Sequence, residues 1–209
     1  MLNTNNIYIL GYSGHSYVTI EVAQANKFNV LGYFDRFESK VNPFNLKYFG
    51  YEKDIDLKTI VKNAFVFPAM GSNSIRKKLH TKLIADKINQ TVLIDPSAYV
   101  SRTASIGEST LVNPNVSINS LSHIGKCCII NTAAVIEHEC RIGDFTHVAP
   151  GAVLAGNVIV GENCFIGANT VIKQGITISN DVVIGAGAVV LKNITKGTWV
   201  GNPAKLITK

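Results

Sequence analysis

A six-residue period runs through the second half of the chain and restricts its fold more than any other feature. Every sixth residue from Ile94 to Val190 is isoleucine, valine or leucine, seventeen positions in all. Because about a quarter of an average chain is drawn from these three residue types, chance would produce such a row with a probability on the order of 10⁻¹⁰. The period therefore predicts a regular solenoid from residue 94 onward.

A second row of mostly small residues lies four positions after each of these aliphatic residues. Two inward positions separated by one outward position fit a short strand followed by a tight turn, since strand side chains alternate between faces. Three such units form one triangular coil of a parallel β-helix, with large side chains inside and small ones at the corners. Cys128, Cys140 and Cys164 fall in the small row, so we expect reduced thiols that act as compact apolar fillers.

The residues just before each large aliphatic point outward and form three columns, two of them apolar and one polar. Apolar stripes of this extent usually mark an interface. A prism that buries two faces contacts two neighbours, and a cyclic homotrimer is the simplest closed assembly. The columns are Leu111, Ile129, His147, Phe165, Val183; Tyr99, Ser117, Val135, Val153, Val171, Val189; and Ser105, His123, Arg141, Ile159, Thr177.

The front half alternates strand and helix patterns, which is typical of a small parallel sheet. Strands are predicted at residues 7–10, 30–35 and 64–69, and helices from the glycine turn to about Asn26 and from Ser74 to about Asn89. We therefore predict an α/β, Rossmann-like domain over residues 1–93, the β-helix over residues 94–195, and a C-terminal tail over residues 196–209.

A glycine turn follows the first strand, and its backbone N–H groups and the following helix N-terminus would favour an anion. Asp35 comes 21 residues after Gly14, where an acidic residue often meets a ribose or sugar hydroxyl. The segment Gly11–His15 lacks the third glycine of a dinucleotide site. Nucleotide or nucleotide-sugar binding, NAD binding and a purely structural turn all remain open. Gly71 lies in a second loop at the same expected sheet edge.

Charge and composition exclude several classes of protein. The net charge is +6, yet only 16% of residues are charged, and the cluster of Arg76, Lys77, Lys78 and Lys82 lacks the aromatic residues and the extent of a nucleic-acid site. We interpret it as a solvated helix face, with attraction of a phosphorylated small molecule as the alternative. No run approaches the roughly 18 apolar residues of a membrane span. Residues 1–6 show no secretory signal, so we expect a cytoplasmic protein that binds no membrane.

Glu137, His138 and Glu139 are the only three consecutive ionisable residues of the predicted solenoid and occupy one of its turns. Turns carry function because their side chains are not committed to packing. A histidine beside a carboxylate can act as a general base. One coil further on lies Gly156, which would leave room for a ligand and offer a free N–H. In a trimer this edge would line the cleft between subunits, although an ordinary solvated histidine is the alternative.

The other histidines allow fewer conclusions. His147 interrupts an apolar column, where an unpaired imidazole is costly, so it either bonds across an interface or holds a ligand. His15 could touch a substrate, whereas His80 and His123 are interpreted as surface residues.

Taken together, these segments resemble the bacterial nucleotide-amino-sugar N-acetyltransferases, relatives of which include the bacillosamine-pathway enzyme and sialic acid O-acetyltransferases. The resemblance covers essentially the whole chain. It is carried by residues 7–15, 73–78, 131–140 and 201–205, of which NTAAVIEHEC at residues 131–140 is the most specific. The left-handed sense of the β-helix is implied by this resemblance and not by the spacing.

The resemblance implies acetyl transfer from acetyl-CoA, without a metal, to the amino group of a UDP- or dTDP-linked 4-amino-dideoxy sugar for surface glycan biosynthesis. His138 would be the base, Glu139 would raise its basicity, and the Gly156 amide would hold the oxyanion. The residues implied to contact acetyl-CoA are His147, Ala168 and Ala186. Those implied to hold the nucleotide sugar are Ser13, Gly14, His15, Asp35, Gly71 and Asn131.

One departure concerns Arg36, which follows Asp35 where the bacillosamine enzyme has a second acidic residue. It leaves the nucleotide and the sugar open. O-acetylation of a sialic acid or related sugar is the alternative within this chemistry. A trimeric zinc enzyme would need His123, His138 and His147 to converge on one ion, and a non-catalytic scaffold is a further alternative.

Overall fold

The front half of the chain forms a small parallel sheet with helices around it, as predicted. The computed structural model describes residues 5–207. Four strands pair in the order β3-β2-β1-β4, all parallel. The elements are β1 Asn6–Leu10, α1 Gly14–Ala25, β2 Asn29–Phe34, β3 Lys47–Tyr48, α2 Leu57–Val61, β4 Phe65–Pro68 and α3 Asn73–Ala85.

The sheet is buried on both sides, which explains the continuous apolar runs of its central strands. Ile7, Ile9 and Tyr33 pack into one cluster with α1. Tyr8, Leu10 and Phe34 pack on the other side with α2 and α3. The sequence did not predict β3 or α2, because two strand residues or a five-residue helix are too short to show a period.

The second half is the predicted β-helix, built of two-residue strands at a constant spacing of six. Each strand pairs in parallel with the strand one coil away, for example Ile129 with His147 and Val135 with Val153. Strands β5 to β21 are Leu93–Ile94, Tyr99–Val100, Ser105–Ile106, Leu111–Val112, Ser117–Ile118, His123–Ile124, Ile129–Ile130, Val135–Ile136, Arg141–Ile142, His147–Val148, Val153–Leu154, Ile159–Val160, Phe165–Ile166, Val171–Ile172, Thr177–Ile178, Val183–Ile184 and Val189–Val190.

The strands stack into three faces. The eight-stranded face contains β5, β8, β11, β14, β17 and β20, and it continues into β22 (Thr198–Val200) and β23 (Lys205–Leu206). The six-stranded face starts at β6 and the five-stranded face at β7. The predicted inward rows form one core, in which the large aliphatic residues from Val112 to Val190 are buried. Cys128, Cys140 and Cys164 are buried free thiols in that core.

Left-handed backbone at the turns fixes the corners of each coil. One residue in each turn between residues 109 and 187 has a positive φ, and glycine, asparagine or aspartate occupies many of these positions, as this conformation favours. Glu139 is among the exceptions, with a φ of 62°.

Helix α3 docks the front half onto the solenoid, and Arg76 is its main contact. Arg76 is only 1% exposed, so the interpretation of this residue as part of a solvated helix face is wrong. Its guanidinium donates to the carbonyl oxygens of Cys127 and Phe145 in the solenoid and of Met70 and Gly71 in its own half. The helix turns this residue inward, whereas Lys77 and Lys78 remain exposed.

His80 is the second residue whose prediction was wrong. It is 2% exposed, and its Nδ1 lies 2.7 Å from Oε1 of Gln90. Its ring packs against Phe145 at 5.8 Å between centroids. His80 therefore belongs to the same contact between α3 and the solenoid, and not to the surface.

The docked front half also changes the interpretation of one outward column. Leu111, Ile129 and His147 are buried within a single chain, and Leu111 packs in one cluster with Ile7 and Ile20. Of this column only Phe165 and Val183 are exposed. The six-stranded face is therefore the longer apolar surface available to another subunit.

The remaining sequence predictions concern the chain as a whole. Within residues 5–207 no helix is long and apolar enough to cross a membrane. The prediction that no signal segment is present concerns residues 1–6, of which residues 1–4 lie outside the described residues. Residues 208–209 of the predicted tail also lie outside them. The domain boundaries at residues 93 and 195 remain predictions.

Candidate active site

The edge between the six-stranded and five-stranded faces carries the His138 pair. The turn after Ile136 leaves both side chains in solvent, with 52% of the His138 side chain and 56% of the Glu139 side chain exposed. His138 Nδ1 lies 3.0 Å from Glu139 Oε2. Because a carboxylate only accepts, Nδ1 carries the proton and Nε2 is left with a free lone pair. Nε2 can therefore accept a proton from a ligand.

Gly156 lies under the His138 ring, one coil further along. A Cβ at this position would lie 2.5 Å from Cε1 and 2.6 Å from Nε2 of His138. The ring therefore occupies the space expected to be open for a ligand, and only glycine permits this stacking. Within residues 5–207 the Gly156 N–H donates no hydrogen bond, so it is free to bind an oxyanion.

His147 ends a buried chain of polar side chains on the eight-stranded face. Asn113 donates to Asn131 at 2.7 Å, and Asn131 Nδ2 lies 3.1 Å from His147 Nε2. The amide therefore donates to Nε2 and Nδ1 carries the proton. In the described part of the chain, Oδ1 of Asn113 is a buried atom without a hydrogen-bond partner. Nδ1 of His147 makes no hydrogen bond of normal geometry, although the Gly71 backbone acts on the His147 ring. A buried polar atom without a partner is costly and points to a ligand.

His15 and His147 form a pair of neutral imidazoles between the two halves, with ring centroids 6.4 Å apart. Burial lowers the pKa of His147 to about 3, and the charge of Arg76 acts in the same direction. Burial lowers the pKa of His15 to about 4, again with a contribution from Arg76. Both rings therefore present an uncharged donor and acceptor at neutral pH.

The predicted nucleotide-sugar residues gather at the carboxyl end of the sheet. Ser13 precedes α1, and Gly14 is its first residue. Asp35 follows β2 and accepts hydrogen bonds from the N–H groups of Tyr12, at 2.8 Å, and Arg36. No heavy atom lies within 4 Å of a Cβ built on Gly14 or Gly71. The loops after β1 and β4 therefore leave open space beside two helix N-termini, which favours an anion.

Asn131, Ala168 and Ala186 share the edge between the eight-stranded and six-stranded faces. Asn131 is partly buried and reaches His147, whereas Ala186 is exposed. Stacking is tight here, since a Cβ on Gly167 would lie 2.5 Å from the Ala186 nitrogen. Asn131 contacts His147, whereas Ala168 and Ala186 lie further along the same edge.

One chain does not unite all the predicted site residues. His15, Gly71, Asn131 and His147 lie around the contact between the two halves. His138, Glu139 and Gly156 lie on another edge, where no hydrogen bond or ring contact joins them to the front half within residues 5–207. The candidate site is therefore in two parts on each chain.

Sequence reasoning missed Arg76, Asn73 and Asn113 as parts of this region. Asn73 donates to the Cys164 carbonyl at 2.8 Å and accepts from Arg76 at 2.9 Å. The position of Asn113 one coil below Asn131 was a usable signal, because residues at that spacing stack. The roles of Arg76 and Asn73 depend on the docking of α3 and leave no local pattern.

The arrangement of possible donor side chains bears on metal binding. Among residues 5–207, no group of three His, Cys, Asp or Glu side chains could hold an ion. Within one chain, His123, His138 and His147 therefore do not converge on one ion. His123 is exposed and lies 2.6 Å from Ser105 through Nδ1.

Family models match both halves of the chain. The PglD N-terminal domain matches residues 6–83, and the hexapeptide repeat of succinyl-transferase matches residues 157–192. A curated relative, UDP-N-acetylbacillosamine N-acetyltransferase of Bacillus subtilis (strain 168), is 34% identical over 106 residues. That alignment spans 49% of this chain and 49% of the relative, so the chain matches about half the length of that protein.

Solved structures match over nearly the whole length. A point mutant of perosamine N-acetyltransferase from Caulobacter crescentus, in complex with CoA and GDP-perosamine, is 33% identical with a TM-score of 0.93. The match covers 98% of this chain and 97% of that chain. The acetyltransferase domain of PglB from Neisseria gonorrhoeae FA1090, in complex with acetyl coenzyme A, is 29% identical with a TM-score of 0.89, over 98% and 100% of the two chains.

Proposed function

Since the chain belongs to the hexapeptide-repeat N-acetyltransferases of nucleotide-linked amino sugars, we propose that it transfers the acetyl group of acetyl-CoA to the amine of a 4-amino-dideoxy sugar carried on a nucleoside diphosphate. Relatives act on UDP-linked or GDP-linked sugars by name, so the nucleotide is a separate question. The observation that carries the proposal is the His138–Glu139 pair, with its free Nε2 stacked over Gly156.

The chemistry assigned to this pair is general base catalysis. The sugar amine attacks the thioester carbonyl carbon, and His138 Nε2 accepts the proton that the amine loses. Glu139 stabilises the imidazolium through Nδ1–H, and the Gly156 N–H binds the oxyanion. When the C–S bond breaks, the proton passes to the leaving CoA sulfur. The products are an amide and CoA.

The front half is assigned to the nucleotide sugar. Ser13, Gly14 and Gly71 border open space at the N-termini of α1 and α3, where N–H groups and the helix dipoles favour a diphosphate. Asp35 is assigned to a ribose hydroxyl, and the neutral ring of His15 is assigned to the substrate as well. His147, Asn131, Ala168 and Ala186 are assigned to acetyl-CoA and its thioester.

The two parts of the site require a second copy of the chain. His138 lies on the edge that borders the exposed apolar six-stranded face, whereas the nucleotide-sugar residues lie beyond the opposite face. We therefore propose a homotrimer in which His138 of one subunit reaches the substrate held by the front half of the next. Cytoplasmic location also remains a prediction, in keeping with four buried free thiols.

The experiment is steady-state acetylation of nucleotide-linked amino sugars by His138→Ala, with His123→Ala as the matched control. A positioned base contributes about 10²–10⁴-fold, so we expect His138→Ala to lower kcat at least a hundredfold and His123→Ala to leave it unchanged. Turnover by His138→Ala within threefold of the unaltered protein would refute the assignment. Resistance of the product to hydroxylamine would distinguish the expected amide from the ester of an O-acetyltransferase.

A further inference from the structure

A cavity of about 260 Å³ opens at the carboxyl end of the front sheet, beside Asp35. Met70, Ile75 and Leu79 form its apolar walls. The polar lining consists of Asp35, Arg36, Tyr51, Glu52, Lys53 and Lys78. Ile75 is 47% exposed, which leaves one wall uncovered. Apolar walls with a few polar groups are typical of a site for a small organic ligand.

Glu52 is the unexplained residue of this cavity. It is 8% exposed, and no other residue within 5–207 donates a hydrogen bond to its carboxyl group or forms an ion pair with it within 4 Å. Burial raises the pKa of Glu52 and the charge of Asp35 acts in the same direction, whereas its own backbone N–H and the charges of Lys53 and Lys82 lower it. Neither carboxyl oxygen of Glu52 is a buried atom without a partner, since its own backbone N–H acts on the group. Because no other side chain pairs with it, the carboxyl group can still accept donors supplied by a ligand.

Asp35 is less available than Glu52 to accept hydrogen bonds from a ligand in this cavity. Its two carboxylate oxygens already accept the N–H groups of Tyr12 and Arg36, which shapes the glycine loop. With Asp35 assigned to the ribose, the cavity that it shares with Glu52 lies next to that part of the proposed substrate. The group that enters the cavity is therefore the part of the nucleotide beyond the ribose, which is the base.

The number of N–H donors separates the bases. Guanine presents two adjacent donors, N1–H and the 2-amino group, which match the two oxygens of a carboxylate. Uracil and thymine present one N–H between two carbonyl oxygens, and these would repel a carboxylate. Adenine and cytosine place a ring acceptor next to their amino group. Resting on the proposed function, we propose that Glu52 binds the Watson–Crick edge of guanine, so that this chain acts on a GDP-linked amino sugar.

The test is calorimetric titration of the full-length protein with GDP, UDP, dTDP and inosine diphosphate, without any sugar. GDP should bind at least tenfold more tightly than UDP or dTDP. Inosine diphosphate lacks only the 2-amino group, so we expect it to bind about tenfold more weakly than GDP, since a hydrogen bond to a charged group is lost. Glu52→Gln should weaken GDP binding at least tenfold and reduce the difference between GDP and inosine diphosphate.

The control is Glu21→Gln, which removes the same charge from an exposed position on α1 and should leave all four affinities unchanged. Tighter binding of UDP or dTDP than of GDP would overturn the proposal, as would equal affinity for GDP and inosine diphosphate. The comparison of these two ligands needs no variant, so it stands even if Glu52→Gln fails to fold. Preferential GDP binding without acetyl transfer to any amino sugar would contradict the proposed function and leave the assignment of the base intact.

Discussion

His138 lies in a turn of the solenoid and His147 lies in strand β14, and their environments are opposite. His138 is half exposed beside a carboxylate, which suits a residue that gains and loses a proton. His147 is 8% exposed and near the buried charge of Arg76, which keeps its ring neutral. The first environment fits a base, and the second fits a hydrogen-bonding contact that keeps one protonation state.

The neutral state of His15 and His147 predicts a pH dependence of stability. An unfolded histidine has a pKa near 6.5, whereas these two have folded values of about 4 and about 3. Well above pH 6.5 these two histidines are neutral in the folded and in the unfolded chain, so they do not make the free energy of unfolding depend on pH. Below it the unfolded chain takes up protons that the folded chain does not, so stability falls by up to about 1.4 kcal/mol per histidine and pH unit.

Urea unfolding between pH 7 and pH 5 measures this effect above the range in which most carboxylates titrate. His147→Gln should make the decline shallower, while His123→Gln should not. An equal slope in the unaltered protein and in His147→Gln would contradict the assigned environment.

At the scale of elements, α3 and the solenoid are joined through a cation without an acidic partner. All five N–H groups of Arg76 have acceptors, four of them backbone carbonyls. Arg76→Ala would leave these oxygens buried and unpaired, so we expect a loss of about 3–5 kcal/mol of unfolding free energy. Lys78→Ala, on an exposed position of the same helix, should change it by less than about 0.5 kcal/mol. Similar urea midpoints for the two variants would contradict this role.

Two equivalent turn positions of the solenoid, one leucine and one asparagine, allow opposite substitutions to be compared. Leu121 has a φ of 62° and is 63% exposed, so it bears the cost of left-handed backbone without the benefit of burial. Leu121→Asn should stabilise the fold by about 0.5–1 kcal/mol, and Asn157→Leu, at an equivalent position with a φ of 55°, should destabilise it by a similar amount. Urea unfolding at one fixed protein concentration checks both, and changes of the same sign would contradict the explanation.

Some features of these elements can be predicted from the sequence, and others depend on how the two halves dock. The inward rows, the three faces and the stacking of Gly156 on His138 follow from a spacing that each coil repeats, so residue numbers alone place them. The burial of Arg76 and His80, and of Leu111 and Ile129, depends on how α3 and α1 dock against the solenoid. That docking joins residues more than fifty positions apart, and no local periodicity encodes it. Helix α3 donates to the backbone carbonyl oxygens of Cys127, Phe145 and Cys164, and a pattern of side chains does not reveal contacts of this kind.

At the scale of the whole molecule, the six-stranded face is the surface expected to meet another subunit. Val171 on this face is 43% exposed, and Ile159 on the five-stranded face is 39% exposed. Val171→Lys should dissociate the proposed trimer, because it would place a charge in an apolar interface. Ile159→Lys is the matched control and should remain trimeric. Light scattering distinguishes these outcomes, and an unchanged mass for Val171→Lys would contradict the interface.

The central claim is that His138 of one subunit acts on a substrate held by the front half of another, and mixing two inactive variants tests it most directly. One is His138→Ala, and the other is Gly71→Trp, which fills the open space at the sheet edge without altering His138. Each variant alone should be inactive. Trimers reassembled from an equal mixture should regain about a quarter of the activity of the unaltered protein, because one junction in four joins two intact parts. No activity in verified mixed trimers would contradict the claim.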